Sequence, residues 1–243
     1  MQHDMPILML PGLMNDARVW GNIRDALGAR RHVVVAPTHM ADTISELAAS
    51  ALVLMPPGRF AVAGFSLGGY VAMEVAQQAQ SRISGIALIS TGARADSEEA
   101  TQNRKLMVAA LGSGEVSFAH IASGFLPRLV HASRVDDREL LELLSAMARE
   151  VGSDGFVRQQ KASMNRSDSR DMLRKLSCPA LILCGREDQI TPPELSEEMA
   201  ALLPGNVTQV LVPECGHMST LEQPRVVVDA FLRWIRQVDA RAL

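Results

Sequence analysis

Short apolar runs, each followed by a longer stretch whose apolar residues recur at helical spacing, restrict this 243-residue chain to one class of fold. The runs at 6–10, 32–36, 59–64, 83–90, 180–184 and 207–212 have the length of strands. Within them Ala61-Val62-Ala63, Ile86-Ala87-Leu88-Ile89 and Leu181-Ile182-Leu183 are apolar without alternation, which suits strands covered on both faces. Helical patterns fall at 17–27, 43–54, 67–78 and 194–203, and one at 226–238 closes the chain. Such alternation predicts an α/β fold: a mostly parallel, doubly wound sheet of about six strands with helices on both faces.

Residues 95–172 interrupt the rhythm. They read as consecutive helices at 99–111, 117–124, 136–151 and 154–164, separated by Gly112-Ser113-Gly114, Pro127 and Gly152. Asp136 or Asp137 ahead of an apolar-periodic run is the expected N-cap of the third. A strand after Cys178-Pro179 restores the alternation. The expectation is an α/β core of residues 1–94 and 173–243 carrying a helical cap, 95–172, over one edge of the sheet.

Chemistry enters at Gly64-Phe65-Ser66-Leu67-Gly68-Gly69, which ends an apolar strand and opens a helical pattern. This is the setting of a G-x-S-x-G nucleophile elbow, where small neighbours let the turn tighten and the helix N-terminus faces developing negative charge. Ser66 is the candidate nucleophile. A serine needs a base, and His217, in Glu214-Cys215-Gly216-His217-Met218 after the last strand, is the candidate. His3, His32, His39, His120 and His131 fall at the terminus, beside strands or in the helical stretch, and make weaker bases. The acid that would fix the imidazole is Asp188, in Gly185-Arg186-Glu187-Asp188, with Glu187 as its competitor. An oxyanion needs two backbone N–H donors. Leu67, after the nucleophile, supplies one, and Leu13, in Leu10-Pro11-Gly12-Leu13-Met14 after the first strand, supplies the other.

With these segments in place the chain resembles the α/β-hydrolase superfamily. The resemblance rests on 8–20, 64–69, 178–193 and 213–224, and covers essentially the whole sequence. The stretches LPGLMNDARVW, CGREDQITPP and GHMSTLEQP are similar to compact capped members of the carboxylesterase and enol-lactonase kind. The order Ser66, Asp188, His217 is the one these hydrolases follow. The resemblance implies a cofactor-free, two-step acyl transfer through an acyl-serine, with substrate entering between cap and sheet. Leu10-Pro11-Gly12 stands where many relatives have His-Gly, so the local anchoring of that loop differs. Only about four residues precede the first strand, so the two antiparallel strands that open the full family sheet are expected to be absent or very short.

The expected activity is therefore hydrolysis of a carboxylic ester or related acyl bond. Enol-lactone opening, thioester hydrolysis, carbon–carbon cleavage and peracid formation on the same triad are its rivals, followed by a non-catalytic binding protein on this fold. Ser66 argues against haloalkane dehalogenases and epoxide hydrolases, which place an aspartate at that position. Met14, Met218 and Phe125 are the candidate substrate contacts, beside Leu67, Phe118, Leu126 and Met147. Their apolar character points to a small-molecule ester with an apolar part. Arg158, Arg166 and Arg170 are expected to pair with acids such as Asp168 and Asp171, or else to reach a substrate carboxylate.

Net charge is −3 with both signs spread along the chain, so neither nucleic acid nor a membrane surface is an expected partner. Cys178, Cys184 and Cys215 are odd in number and show no zinc spacing; no metal is expected, and small buried apolar roles suit them. Cys215, two residues before His217, is the one placed to affect the site if modified. No secretory signal or membrane span is evident, and a cytoplasmic location is the expectation.

Overall fold

The computed structural model describes residues 4–241. Strands β1 (Ile7–Leu10), β2 (Val33–Val35), β3 (Phe60–Phe65), β4 (Ile83–Ile89), β5 (Ala180–Gly185) and β6 (Val207–Val212) form one sheet in the order β2-β1-β3-β4-β5-β6. All five pairings are parallel. The sheet is thus fully parallel with six strands, as the apolar runs require.

Side chains alternate across it with the period of two that a pleated strand imposes. Leu8, Leu10, Val62, Ile86, Leu88 and Ile182 face one layer, packed on helices α2 (Ile44–Val53), α3 (Leu67–Gln78) and α8 (Pro193–Leu202). Ile7, Met9, Ala61, Ala63, Ala87, Ile89, Leu181 and Leu183 face the other, beneath α1 (Gly21–Leu27) and α10 (Pro224–Ala240). Because both faces are covered, no polar alternation is needed. Trp234 of α10 locks this second layer: its ring meets Phe231 at 5.0 Å and its Nε1 donates to the Pro179 carbonyl at 3.1 Å.

Strand β1 lies between β2 and β3, so the chain steps outward from it in both directions. That reversal opens a crevice at the carboxyl ends of β1 and β3, the usual ligand position in an open parallel sheet. The loop after β1 and the turn after β3 both empty into it.

Between β4 and β5 the chain makes a helical excursion: α4 (Glu98–Gly112), α5 (Phe118–Leu129), α6 (Arg138–Met164) and the short α7 (Arg170–Leu173). The N-cap of α6 is Asp137, whose carboxylate accepts from the Leu140 N–H. One sequence expectation is corrected here. Pro127 does not end a helix but lies inside α5, near its end, where the missing N–H costs a single hydrogen bond. Gly152 does separate two helical segments, as expected: its non-helical φ of 69° and ψ of 173° break α6 at a kink.

Two of the three arginines find partners other than those expected. Arg166 bonds to Asp96, which Arg104 also binds at 3.0 Å, and its guanidinium stacks 4.2 Å from the Tyr70 ring. Asp96 is thereby paired from both ends of the excursion. Arg158 donates to the His39 carbonyl at 2.8 Å, while Arg170 does pair with Asp168 and also reaches Glu198. Among the described residues, no helix is long and apolar enough to cross a membrane.

Replacing Trp234 by Ala removes a fully buried ring and its hydrogen bond. We expect a loss of about 3–5 kcal/mol in unfolding free energy, read from the urea midpoint at unchanged m-value.

Candidate active site

Ser66 sits between the last residue of β3 and the first of α3, with φ at 54° and ψ at −119°. Few side-chain-bearing residues adopt a positive φ, and one that does is held there by its surroundings. The surroundings are two backbone contacts that only glycine permits. A Cβ on Gly64 would lie 2.2 Å from the Gly68 carbonyl oxygen, and one on Gly68 would lie 1.9 Å from the Leu10 carbonyl oxygen. The elbow therefore closes on itself and on the end of β1. The Ser66 N–H donates to Ile89 of β4, and its carbonyl accepts from Thr91 Oγ1 at 2.8 Å.

His217 lies on the loop after β6, and its Nε2 is 2.9 Å from Ser66 Oγ. On the other side of the ring, Nδ1 is 2.8 Å and 3.0 Å from the two carboxylate oxygens of Asp188. Asp188 follows β5 and is 3% exposed; His217 is equally buried, with its ring 5.3 Å from that of Phe65. Ser66, half-buried, is the part of the trio that reaches solvent. Glu187 points elsewhere: it is exposed, and its carboxylate accepts from the Cys215 N–H at 3.0 Å.

Asp188 is held by its own loop as well as by the imidazole. Its Oδ1 accepts from the N–H groups of Ile190 and Thr191, at 2.8 Å and 2.9 Å, and its Oδ2 accepts from Thr191 Oγ1 at 2.8 Å. Burial pushes its carboxyl upward, but the charge and hydrogen bond of His217, with the N–H groups of Thr191 and Ile190, prevail and hold it below the ordinary aspartate range. The group is thus an anion with its lone pairs occupied. An Nδ1–H is the proton such a partner selects, which leaves Nε2 free to accept from the serine.

Thr191 was not among the expected site residues. An Asp followed three positions on by Thr is a local side-chain-to-backbone turn pattern, so its signal was present in Asp188-Gln189-Ile190-Thr191.

The His217 loop is fastened from below by Glu222 of the short helix α9 (Ser219–Glu222). Its Oε2 accepts from the His131 N–H at 2.6 Å, its carbonyl accepts from Arg134 Nη1, and the Met218 N–H donates to Leu129. Oε1 is buried and has no partner among the described residues. Burial raises the Glu222 carboxyl, against the backbone donors of His131 and Gly216.

The loop after β1 runs beside the elbow. A Cβ on Gly12 would lie 3.0 Å from Ser66 Cβ, so the loop carrying Leu13 runs against the candidate nucleophile. Among the described residues, the N–H groups of Leu13 and Leu67 have no acceptor. Met14, at a φ of 55°, is buried in an apolar cluster with Ala148 and Phe156, against which Leu13, Phe118 and Phe125 pack. Met14 and Phe125 are therefore brought together. Met218 is not with them: it is 1% exposed in the layer under α10, with Met147 and Leu126.

The cysteines are free and largely removed from solvent. Burial pushes the Cys178 thiol up to about 11 and the Cys184 thiol up to about 12, and raises that of Cys215 as well. Cys184 Sγ lies 3.7 Å from Asp188 Oδ2, but a thiol so disfavoured as thiolate is a packing group.

The sequence matches the alpha/beta hydrolase family over residues 7–230. A solved esterase from Thermogutta terrifontis is 31% identical, with a TM-score of 0.85 over 97% of this chain and 90% of its own. The pimeloyl-[acyl-carrier protein] methyl ester esterase of Nitrosomonas europaea is 29% identical, with 93% of each chain covered. The enol-lactonase from Burkholderia xenovorans is similar at 21% identity and a TM-score of 0.81, covering 96% of this chain and 92% of its own. At that identity the likeness is one of fold.

Two pH-dependent outcomes follow from the carboxylates. A carboxyl held low in the fold stabilises it above the unfolded value, about 3.9 for Asp, and that gain is lost as pH falls through the folded value. Thr191→Val removes a donor to Asp188, so its cost of about 1.5–3 kcal/mol at neutral pH should shrink toward acid in urea titrations. Glu222 has the opposite sign. A carboxyl raised in the fold favours the protonated native state, so stability declines as pH rises from the ordinary glutamate value through the folded one. Glu222→Gln should flatten that decline, and the melting temperature of wild type relative to the variant should fall between pH 4 and pH 8.

Proposed function

The chain belongs to the alpha/beta hydrolase family, and from that premise we propose that it hydrolyses carboxylic esters through an acyl intermediate on Ser66. The observation that carries the reading is the 2.9 Å approach of His217 Nε2 to Ser66 Oγ, with Asp188 2.8 Å behind Nδ1. In this reading His217 takes the hydroxyl proton as Ser66 Oγ attacks the ester carbonyl carbon. The carbonyl oxygen becomes an oxyanion and accepts from the N–H groups of Leu13 and Leu67. Collapse breaks the bond to the alcohol oxygen, which leaves with the proton held on Nε2. Water then enters, gives its proton to His217 and attacks the acyl-serine; a second collapse releases the acid and returns the proton to Ser66. Asp188 stays ionised throughout and stabilises the imidazolium.

Ester as the bond class is supported by the names of the two relatives near 30% identity, both esterases. The helices of 95–172 serve as a cap, and the apolar cluster of Met14, Phe125 and Phe156 suits a small-molecule substrate with an apolar part. Met218, though buried, adjoins His217 and supports the wall from behind. Free thiols suit a reducing compartment, and we assign the enzyme to the cytoplasm on that ground.

Purified protein should react with a fluorophosphonate probe and hydrolyse p-nitrophenyl esters. Ser66→Ala should abolish the labelling and lower kcat by roughly 10⁴-fold or more. Persistent labelling in that variant would overturn the assignment of the nucleophile. A panel of methyl esters, thioesters and enol lactones of increasing chain length tests the bond class; faster turnover of either of the other two than of esters would overturn it.

A further inference from the structure

Gln159 is fully buried in α6, beyond the bend at Gly152, yet its amide is spent on the loop after β1 rather than on its own helix. Its Oε1 accepts from the Met14 N–H at 3.0 Å, and its Nε2 donates to the Gly12 carbonyl at 3.3 Å and to Thr38 Oγ1 at 3.2 Å. Thr38, also fully buried, passes its own proton to the Pro11 carbonyl at 3.1 Å. One side chain from the helical excursion therefore engages the peptide groups on both sides of Leu13.

The geometry of the peptide bond gives this clamp a consequence. The Gly12 carbonyl and the Leu13 N–H belong to one planar trans unit and point in opposite directions. Holding the Gly12 oxygen toward Gln159 aims the Leu13 N–H away from it. The next unit, between Leu13 and Met14, is held through the Met14 N–H. Met14 has a φ of 55°, a conformation that persists only where neighbours over-determine it. The same loop rests on the nucleophile through Gly12 and Ser66 Cβ.

We propose that Gln159 is a positioning residue for the oxyanion hole, orienting the Leu13 N–H from the cap helix. The proposal rests on the ester-hydrolase reading above and adds that α6 helps build the site for charge development as well as covering it. Its amide must both accept and donate, a pairing that neither Glu nor a hydrocarbon reproduces.

The test compares Gln159→Glu, which keeps the acceptor and the shape but loses the donor, with Gln159→Leu, which loses both. Removal of an oxyanion donor lowers kcat by about 10²–10³-fold, and misorientation of one of two donors should cost kcat about 10–100-fold with KM within about twofold. Affinity for phenylboronic acid, whose tetrahedral adduct on Ser66 presents an oxygen to the same N–H groups, should fall in parallel. Should Gln159→Leu fail to fold, Gln159→Glu and Thr38→Val carry the test, and Thr38→Val should shift kcat in the same direction by less. Gln160, the adjacent buried glutamine bonded to Arg104, is the control: Gln160→Leu should lower the melting temperature and leave kcat within about twofold.

Gln159 variants that lose stability but keep kcat and boronate affinity would overturn the proposal, as would an equal loss of kcat in Gln160→Leu. Failure of the underlying reading looks different, because wild type itself would then show no Ser66-dependent ester hydrolysis.

Discussion

Everything at the site depends on how closely two backbones approach at the carboxyl ends of β1 and β3. In the register that pairs Leu10 with Gly64, the first turn of α3 comes down on the Leu10 carbonyl, where a Cβ at Gly68 would stand 1.9 Å away. No side chain intervenes, so the distance between the Ser66 turn and the loop after β1 is set by main-chain geometry alone. That contact places the serine beside the candidate N–H donors. Histidine and acid are then delivered from β6 and β5, which lie on one side of this pair.

The charged part of the site is organised in the same economical way. Asp188 is buried, and a buried carboxylate is costly unless its oxygens are hydrogen-bonded. Two N–H groups and a hydroxyl from its own loop satisfy it before the imidazole is counted. The imidazole therefore meets a fixed anion already hydrogen-bonded by the protein instead of one that must reorganise. Among the described residues Met14 and Ser66, on the two segments that meet at the site, share a positive φ with Ser90 and Glu214.

Much of this was legible in the sequence, for identifiable reasons. The inner strands were readable because both faces of the sheet are covered there, which allows unbroken apolar runs such as Ile86 to Ile89. Ser66, Asp188 and His217 were readable because each follows a strand in a separate loop with its own small-residue signature. What escaped depends on tertiary neighbours. Gln159 looks like any polar residue in a helix until the fold turns it onto the β1 loop. The partner of Arg166 proved to be Asp96, 70 residues away in sequence, which no local pattern encodes. Pro127 and Gly152 read as helix breakers because local propensity disfavours helix there; the chain does break at Gly152 but stays helical through Pro127.

The excursion between β4 and β5 leaves and returns at adjacent, hydrogen-bonded strands. Its two roots are tied by Asp96 to Arg166 and by the Ser169 N–H to the Ala93 carbonyl at 2.8 Å. Physically it is a loop already closed at its neck. The entropy of closing such a loop grows only logarithmically, by about 0.6 kcal/mol for each doubling of length. Closure at the neck therefore puts little restriction on the length of the helices above it, while Val130, Leu140, Leu144 and Met147 pack into the same core cluster as the sheet. What would resist exchange of those helices are the grips above the neck: the Gln159 amide on the loop after β1, Arg158 on the His39 carbonyl, and Glu222 on His131 and Arg134. The neck gives the scaffold freedom to diversify, and these grips set the limit of that freedom.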